Sequence, residues 1–123
     1  TLDEFKNGNI RIMIATATDE HLVRMALRRH NIEDYFEHIQ TVGNTGIRKG
    51  EPGFFQKAID RLGLDSKDIW VFEDALHCIL SAKRCGLNVV GVYDEFASSE
   101  EEDIKKIADI YIEDFNQLKI DML

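Results

Sequence analysis

The chain has 123 residues, 44% of them hydrophobic, which is enough for one domain with its own core. Its 23 acidic residues outnumber 15 basic ones for a formal charge of −8, so the cationic surface that drives nucleic-acid binding is missing and nucleic acid is not an expected partner. No apolar run approaches the ~20 residues of a membrane span, and the first residues lack a basic-then-apolar signal pattern, so the expected setting is cytoplasmic, with no membrane partner.

Apolar runs alternate with segments of helical period, the pattern of an α/β protein whose parallel sheet is covered by helices. Residues 1–6 are expected to begin inside a helix. The run Ile10-Arg11-Ile12-Met13-Ile14-Ala15 predicts a first strand ending at Thr16. Asp19 is placed to cap a helix with the stripe Leu22, Met25 or Ala26, and Arg29, ending near His30-Asn31. Residues 39–42 predict a second strand. Phe54, Ala58 and Leu62, with Phe55 and Ile59 beside them, give a helix stopped by Gly63, and residues 69–72 a third strand.

Leu76, Ile79, Leu80 and Lys83 define the next helix, closed by Gly86, and residues 88–92 form an apolar strand long enough to be buried on both faces. Ser99 with Glu102 reads as a capping box for a helix through Ala108. A short strand at 110–112 and a last helix capped by Asp114 follow. There is no internal repeat or linker and a single proline, Pro52, so residues 1–123 are expected to be one domain. The acidic run 95–103 reads as a solvated face. Cys78 and Cys85 share a predicted helix with ~10 Å of rise between them, so buried thiols are expected rather than a disulfide. The four histidines show no ligand spacing and read as surface or interface residues.

Ligands in open α/β sheets bind at the carboxyl ends of strands, and three polar groups lie there. Thr16 can offer its hydroxyl to a phosphate oxygen, helped by the N–H of Ala17; the alternative is a turn and cap built from Thr16 and Thr18. Lys49 lies in a glycine-containing loop, Gly46-Ile47-Arg48-Lys49-Gly50-Glu51-Pro52-Gly53, where its point charge suits a phosphate, with Arg48 as an equally charged competitor. Glu73-Asp74 puts two adjacent carboxylates after an apolar strand, which is costly unless they are paired or hold a cation such as Mg2+. The alternative there is that one caps the following helix while the other faces solvent.

Three segments together resemble the haloacid dehalogenase-like hydrolase superfamily, in its phosphoglycolate phosphatase and β-phosphoglucomutase branch. Ile12-Met13-Ile14-Ala15-Thr16-Ala17-Thr18 is similar to the superfamily's second motif, Lys49-Gly50-Glu51-Pro52-Gly53-Phe54-Phe55 to the third, and Val71-Phe72-Glu73-Asp74-Ala75 with Ala82-Lys83-Arg84-Cys85-Gly86 to the fourth. The resemblance implies a three-layer, Rossmann-like parallel sheet with helices on both faces. It also implies a magnesium-dependent phosphatase acting on a small phosphorylated substrate through an aspartyl-phosphate. In that scheme Thr16 and Ala17 bind the phosphoryl oxygens, Lys49 neutralises them, and Asp74 with Glu73 anchors Mg2+.

The family's first motif, D-x-D, occurs nowhere in these residues. The chain is therefore expected to be the carboxyl-terminal part of a larger hydrolase core. The nucleophile and the central strand would come from a missing amino-terminal segment, or a second copy would fill the gap. Alone, this chain is not expected to hydrolyse phosphate esters. The competing reading is a non-catalytic α/β binding or regulatory module, or an inactive fragment. Gly50 stands where the family often has proline, Ala75 where it often has serine, and Cys78 where the branch often has glycine.

Overall fold

Six α-helices and five short strands, joined by 3-10 turns, make up the computed structural model, which describes residues 1–123. Every strand pairing is parallel and helices lie between the strands in sequence, so the α/β class holds. The strands fall into two sheets, β1-β2 and β3-β4-β5, carried by two units, Thr1–Lys49 and Gly50–Leu123.

In the first unit α1 (Leu2–Asn7) buries Phe5, and the Tyr35 hydroxyl donates to Asp3 while Lys6 sits over the Tyr35 ring. β1 (Ile14–Thr16) keeps only the last half of the predicted first strand. Its ladder runs from Ile14 opposite Ile39 to Thr16 opposite Thr41. Upstream the Ile12 carbonyl still accepts the Glu37 N–H at 2.8 Å, but beyond that the partner chain is taken up by a 3-10 turn, Glu33–Tyr35, and the ladder ends. Arg11 instead reaches Glu37 through two side-chain bonds of 3.0 and 2.7 Å.

α2 (Glu20–Arg29) starts at Asp19 as predicted, but no side-chain cap bond forms there. It ends in a Schellman motif: Asn31 adopts φ 56°, its N–H bonds to Arg28, and the Ile32 N–H bonds to Leu27. The expected stripe is displaced. Leu27 is buried and Val23 half-buried, whereas Leu22 and Met25 are 49% and 59% exposed. Two overlapping apolar stripes exist on this helix, and only packing selects the Val23–Leu27 face.

β2 (Ile39–Thr41) is wholly buried and stops one residue short of the prediction, because Val42 opens a further helix, α3 (Val42–Thr45). Thr41 Oγ1 accepts from the Asn44 N–H and Asn44 Oδ1 accepts from the Thr41 N–H, both at 2.9 Å. That reciprocal capping box turns the chain toward residues 46–49.

The second unit is built around β3 (Trp70–Glu73), β4 (Asn88–Val92) and β5 (Ile110–Ile112), with β4 in the middle. Trp70, half-buried, lies opposite Asn88, and Glu73 opposite Gly91. α4 (Pro52–Leu62) begins with proline in its first turn and ends at Gly63, whose φ of 67° closes the helix as predicted. It buries Phe54, Phe55, Ala58 and Ile59. α5 (Leu76–Arg84) adds Cys78, Ile79 and Ala82, and these pack with Phe55, Leu87, Val89 and Ile104 into one apolar cluster. Each large side chain buried there contributes roughly 1.5–3 kcal/mol.

α6 (Glu101–Ile107) lies directly against β4, where a Cβ on Gly91 would come within 2.9 Å of Ile104 Cγ2. The predicted Ser99–Glu102 box does not form. Asp94 takes the Phe96 N–H first and starts a 3-10 segment, Glu95–Glu100, that absorbs Ser99 and leaves Glu100 before α6 without a side-chain cap bond. Asp114 caps only a 3-10 turn, Phe115–Gln117, in place of the expected last helix. There Gln117 bonds back to the Glu113 N–H, and Phe115 stacks on Phe72. Cys78 is buried and Cys85 only half-buried; both are thiols.

Candidate functional site

Thr16, Ala17, Glu73 and Asp74 stand at or just beyond the carboxyl end of a strand in their own unit, whereas Lys49 is separated from the end of β2 by α3. In the first unit Thr16 is the last residue of β1. Its Oγ1 accepts the Thr18 N–H at 3.1 Å, so the turn that was the bland alternative does form. This leaves the hydroxyl proton to donate outward, so the turn orients the group without consuming it. Ala17 is exposed at the tip of that turn.

Lys49 lies beyond α3, which the Thr41–Asn44 box launches and Gly46, at φ 72°, closes. The two competing cations differ in setting: Arg48 is exposed and Lys49 half-buried. Asn44 also donates to Glu20 Oε1 at 3.0 Å and to the Ile39 carbonyl at 3.0 Å, tying α3 to β2 and to the start of α2. Thr41 and Asn44 had no role in the sequence reading. The signal that could have found them is T-x-x-N at the end of an apolar run, an asparagine version of the capping box.

In the second unit β3 ends at Glu73, and the ladder to β4 ends with it. The next backbone donors have lost their strand partner, and the Glu73 side chain takes them: Oε1 accepts the N–H groups of Asp74 at 3.0 Å and Ala75 at 3.2 Å. Glu73 is buried, with its oxygen committed to shaping this turn, while Asp74 projects outward. α5 then starts at Ala75 with no side-chain cap bond.

Partial burial pushes the Asp74 carboxyl above its ordinary range, and the hydrogen bond and charge of Glu73 push it the same way. The Asp94 side chain, within hydrogen-bonding reach beyond β4, pulls in the opposite direction. Asp94 is the third carboxylate of this corner and had no role in the sequence reading. Its place after the β4 apolar run was the available clue. Glu73, Asp74 and Asp94 are thus brought together in the second unit, whereas Thr16, Ala17 and Lys49 belong to the first.

The corner concentrates negative charge in carboxylate oxygens, the donor type that hard divalent cations prefer. That donor chemistry is the kind Mg2+ takes, while no group of three or more histidine, cysteine, aspartate or glutamate side chains is gathered here to hold a metal ion by itself. The first unit offers a hydroxyl, a backbone N–H and an ammonium, which are groups that bind an anion.

The family model for haloacid dehalogenase-like hydrolase matches residues 1–92. The chain is 28% identical over 92 residues to the pyrophosphatase PpaX of Bacillus velezensis, covering 75% of this chain and 43% of that protein. It is 31% identical over 102 residues to (DL)-glycerol-3-phosphatase 2 of Arabidopsis thaliana, covering 78% of this chain and 42% of that protein. Among solved structures, a family IA, variant 3 HAD hydrolase from Entamoeba histolytica superposes with a TM-score of 0.82 at 28% identity, covering 98% of this chain and 54% of that one. The matched region thus spans about two-fifths of the curated relatives. With a family model spanning the strand that ends at Thr16, the Lys49 loop and the Glu73-Asp74 turn, the chain belongs to the haloacid dehalogenase-like hydrolases.

Proposed function

We propose that the chain forms part of a magnesium-dependent phosphatase that acts on a small phosphorylated substrate, with an aspartate nucleophile supplied from outside these 123 residues. The observation that carries this reading is the carboxylate corner at the end of β3, where Asp74 is held above its ordinary range beside Glu73 and Asp94. Family membership and the phosphatase names of the relatives support the reaction class. The absence of any D-x-D pair in the sequence is the reason to look elsewhere for the nucleophile.

In this reading Asp74 holds Mg2+, and Glu73 stands behind it, keeping the turn in shape through the Asp74 and Ala75 N–H groups. The metal would supply charge neutralisation for the phosphoryl group and its leaving oxygen. Thr16 donates its O–H to a phosphoryl oxygen while its own oxygen remains fixed by the Thr18 N–H, and the Ala17 N–H adds a second donor. Lys49 neutralises the remaining charge. Positioning and charge stabilisation of this kind make up most of what phosphoryl transfer requires of a protein. No helix is long and apolar enough to cross a membrane.

The test is a pair of measurements on the full polypeptide and its Asp74→Ala variant. Mg2+ is expected to raise the melting temperature of the parent and leave the variant unmoved, because binding to the folded state alone stabilises it. Phosphate release from p-nitrophenyl phosphate should fall at least about 100-fold in the variant. Unchanged turnover in Asp74→Ala would sink the metal assignment; a parent protein with neither response would favour the non-catalytic binding module.

A further inference from the structure

Thr16 and Thr41 face each other in the β1-β2 ladder, so the strand that carries the Thr16 hydroxyl ends beside the residue that caps α3. Only residues 17–19 separate Thr16 from α2, which starts at Glu20. The Ala17 N–H therefore lies in a short span with two ends, one fixed by the ladder and the other by the place where α2 begins. Asn44 holds that second end. Its Nδ2 donates to Glu20 Oε1 at 3.0 Å, while the same amide is anchored to β2 through the Ile39 carbonyl and the Thr41 N–H. Glu20 is steadied at its other oxygen, Oε2, by Arg24 at 2.9 Å. α3 also approaches the span directly: a Cβ on Gly43 would stand 3.9 Å from Asp19 Oδ1. With no side-chain cap bond at Asp19, the start of α2 is joined to β2 by the tie from Glu20 to Asn44. Ladder, amide, carboxylate and span close a ring within the first unit.

We propose that Asn44 is a positioning residue: through Glu20 it fixes where α2 begins, and thereby the aim of the Thr16 hydroxyl and the Ala17 N–H. This rests on the proposed role of Thr16 and Ala17 in binding phosphoryl oxygens. Asn44 acts without touching substrate. A donor displaced by about 1 Å from its working place can cost on the order of 100-fold in rate, so releasing one end of so short a span has a measurable effect.

The experiment compares kcat, KM and melting temperature for the full polypeptide carrying Asn44→Asp, Glu20→Gln, both together, or Thr16→Val, with p-nitrophenyl phosphate as substrate. Asn44→Asp keeps the oxygen that accepts the Thr41 N–H but removes the donor to Glu20 and sets two carboxylates against each other. It is expected to lower kcat by about tenfold to a hundredfold with KM unchanged. Glu20→Gln still accepts from Asn44 and should leave kcat near that of the parent. The double variant exchanges donor and acceptor, because the introduced amide donates to the introduced carboxylate, and should recover most of the lost kcat. An impaired Thr16→Val beside wild-type kcat in Asn44→Asp overturns the positioning role, even if the melting temperature falls, as does a loss that the double variant fails to recover. Wild-type kcat in Thr16→Val, or a parent without turnover, overturns the reading of Thr16 and this inference with it. If Asn44→Asp does not fold, Glu20→Ala decides: a kcat loss with unchanged KM supports the role and wild-type kcat overturns it.

Discussion

In the unit Gly50–Leu123 burial is the work of apolar side chains, with Phe55, Ile79, Leu87, Val89 and Ile104 meeting in one cluster between helices and sheet. In Thr1–Lys49 the buried strand is Ile39-Gln40-Thr41, two of whose three side chains are polar, and its apolar complement is only Phe5 and Leu27. The first unit relies instead on directed bonds: Arg11 to Glu37, Tyr35 to Asp3, and the Thr41–Asn44 box. A slab of apolar contacts resists deformation from any direction, whereas a set of hydrogen bonds specifies one geometry and contributes little net stability per bond. The carboxylate corner is backed by the slab, and the groups proposed to bind phosphate belong to the unit set by the bonds.

Core truncation gives the largest separation between the two. Phe55→Ala should cost about 3–5 kcal/mol, and Leu27→Ala should fall near the lower end of the ~2–5 kcal/mol range for aliphatic truncations, both read from urea unfolding followed by circular dichroism. Equal costs would erase the contrast. Next in size is the capping box: Thr41→Ala should lose about 1 kcal/mol, and Thr41→Ser, which keeps the hydroxyl, should lose much less. If serine is no better than alanine, the bond to the Asn44 N–H is not what holds that turn.

The smallest effects are in the acid limb of stability, where two carboxylates of the second unit have opposite signs. Burial opposes the charged form of Asp109, but the Lys83 ammonium at 2.7 Å and the Val89 N–H at 2.8 Å outweigh it and hold the carboxyl below its ordinary range. A carboxyl depressed in the folded state stabilises above its unfolded pKa, and that contribution is lost as pH falls through the folded value. Asp109→Asn should therefore lower stability at neutral pH and flatten the loss below about pH 4. Asp74 is raised, so its ionisation costs stability at neutral pH and the cost is relieved as pH falls. Asp74→Asn should leave the melting temperature at pH 7 unchanged or higher. A lower value would contradict the strain assigned to that corner.

Much of this was legible in the sequence because it depends on local patterns. Pro52 and Gly63 bracket α4, the Phe54-to-Leu62 spacing lies within it, and β4 occupies 88–92, each as local propensity and periodicity predict. What was not legible depended on competition between neighbours. Asp94 captures the chain before Ser99 can, Thr41 starts α3 before Val42 can extend β2, and α2 buries one of two equally good stripes. At the candidate site, strand ends and residue types singled out Thr16, Lys49, Glu73 and Asp74 as candidates, and the places of Thr16 and Glu73 as last residues of β1 and β3 were legible. The division of labour within the acidic pair was hidden, because it follows from where the β3 ladder stops.

Trp70, the only tryptophan in the chain, opens β3 and lies opposite Asn88 in the second unit. Its fluorescence is therefore a private reporter of that unit, while the circular dichroism signal averages both. Superimposed melting curves from the two probes would mean that the units unfold as one cooperative body. If the dichroism begins to fall before the indole emission shifts, the hydrogen-bonded half is melting on its own, with no label or fragment needed to observe it.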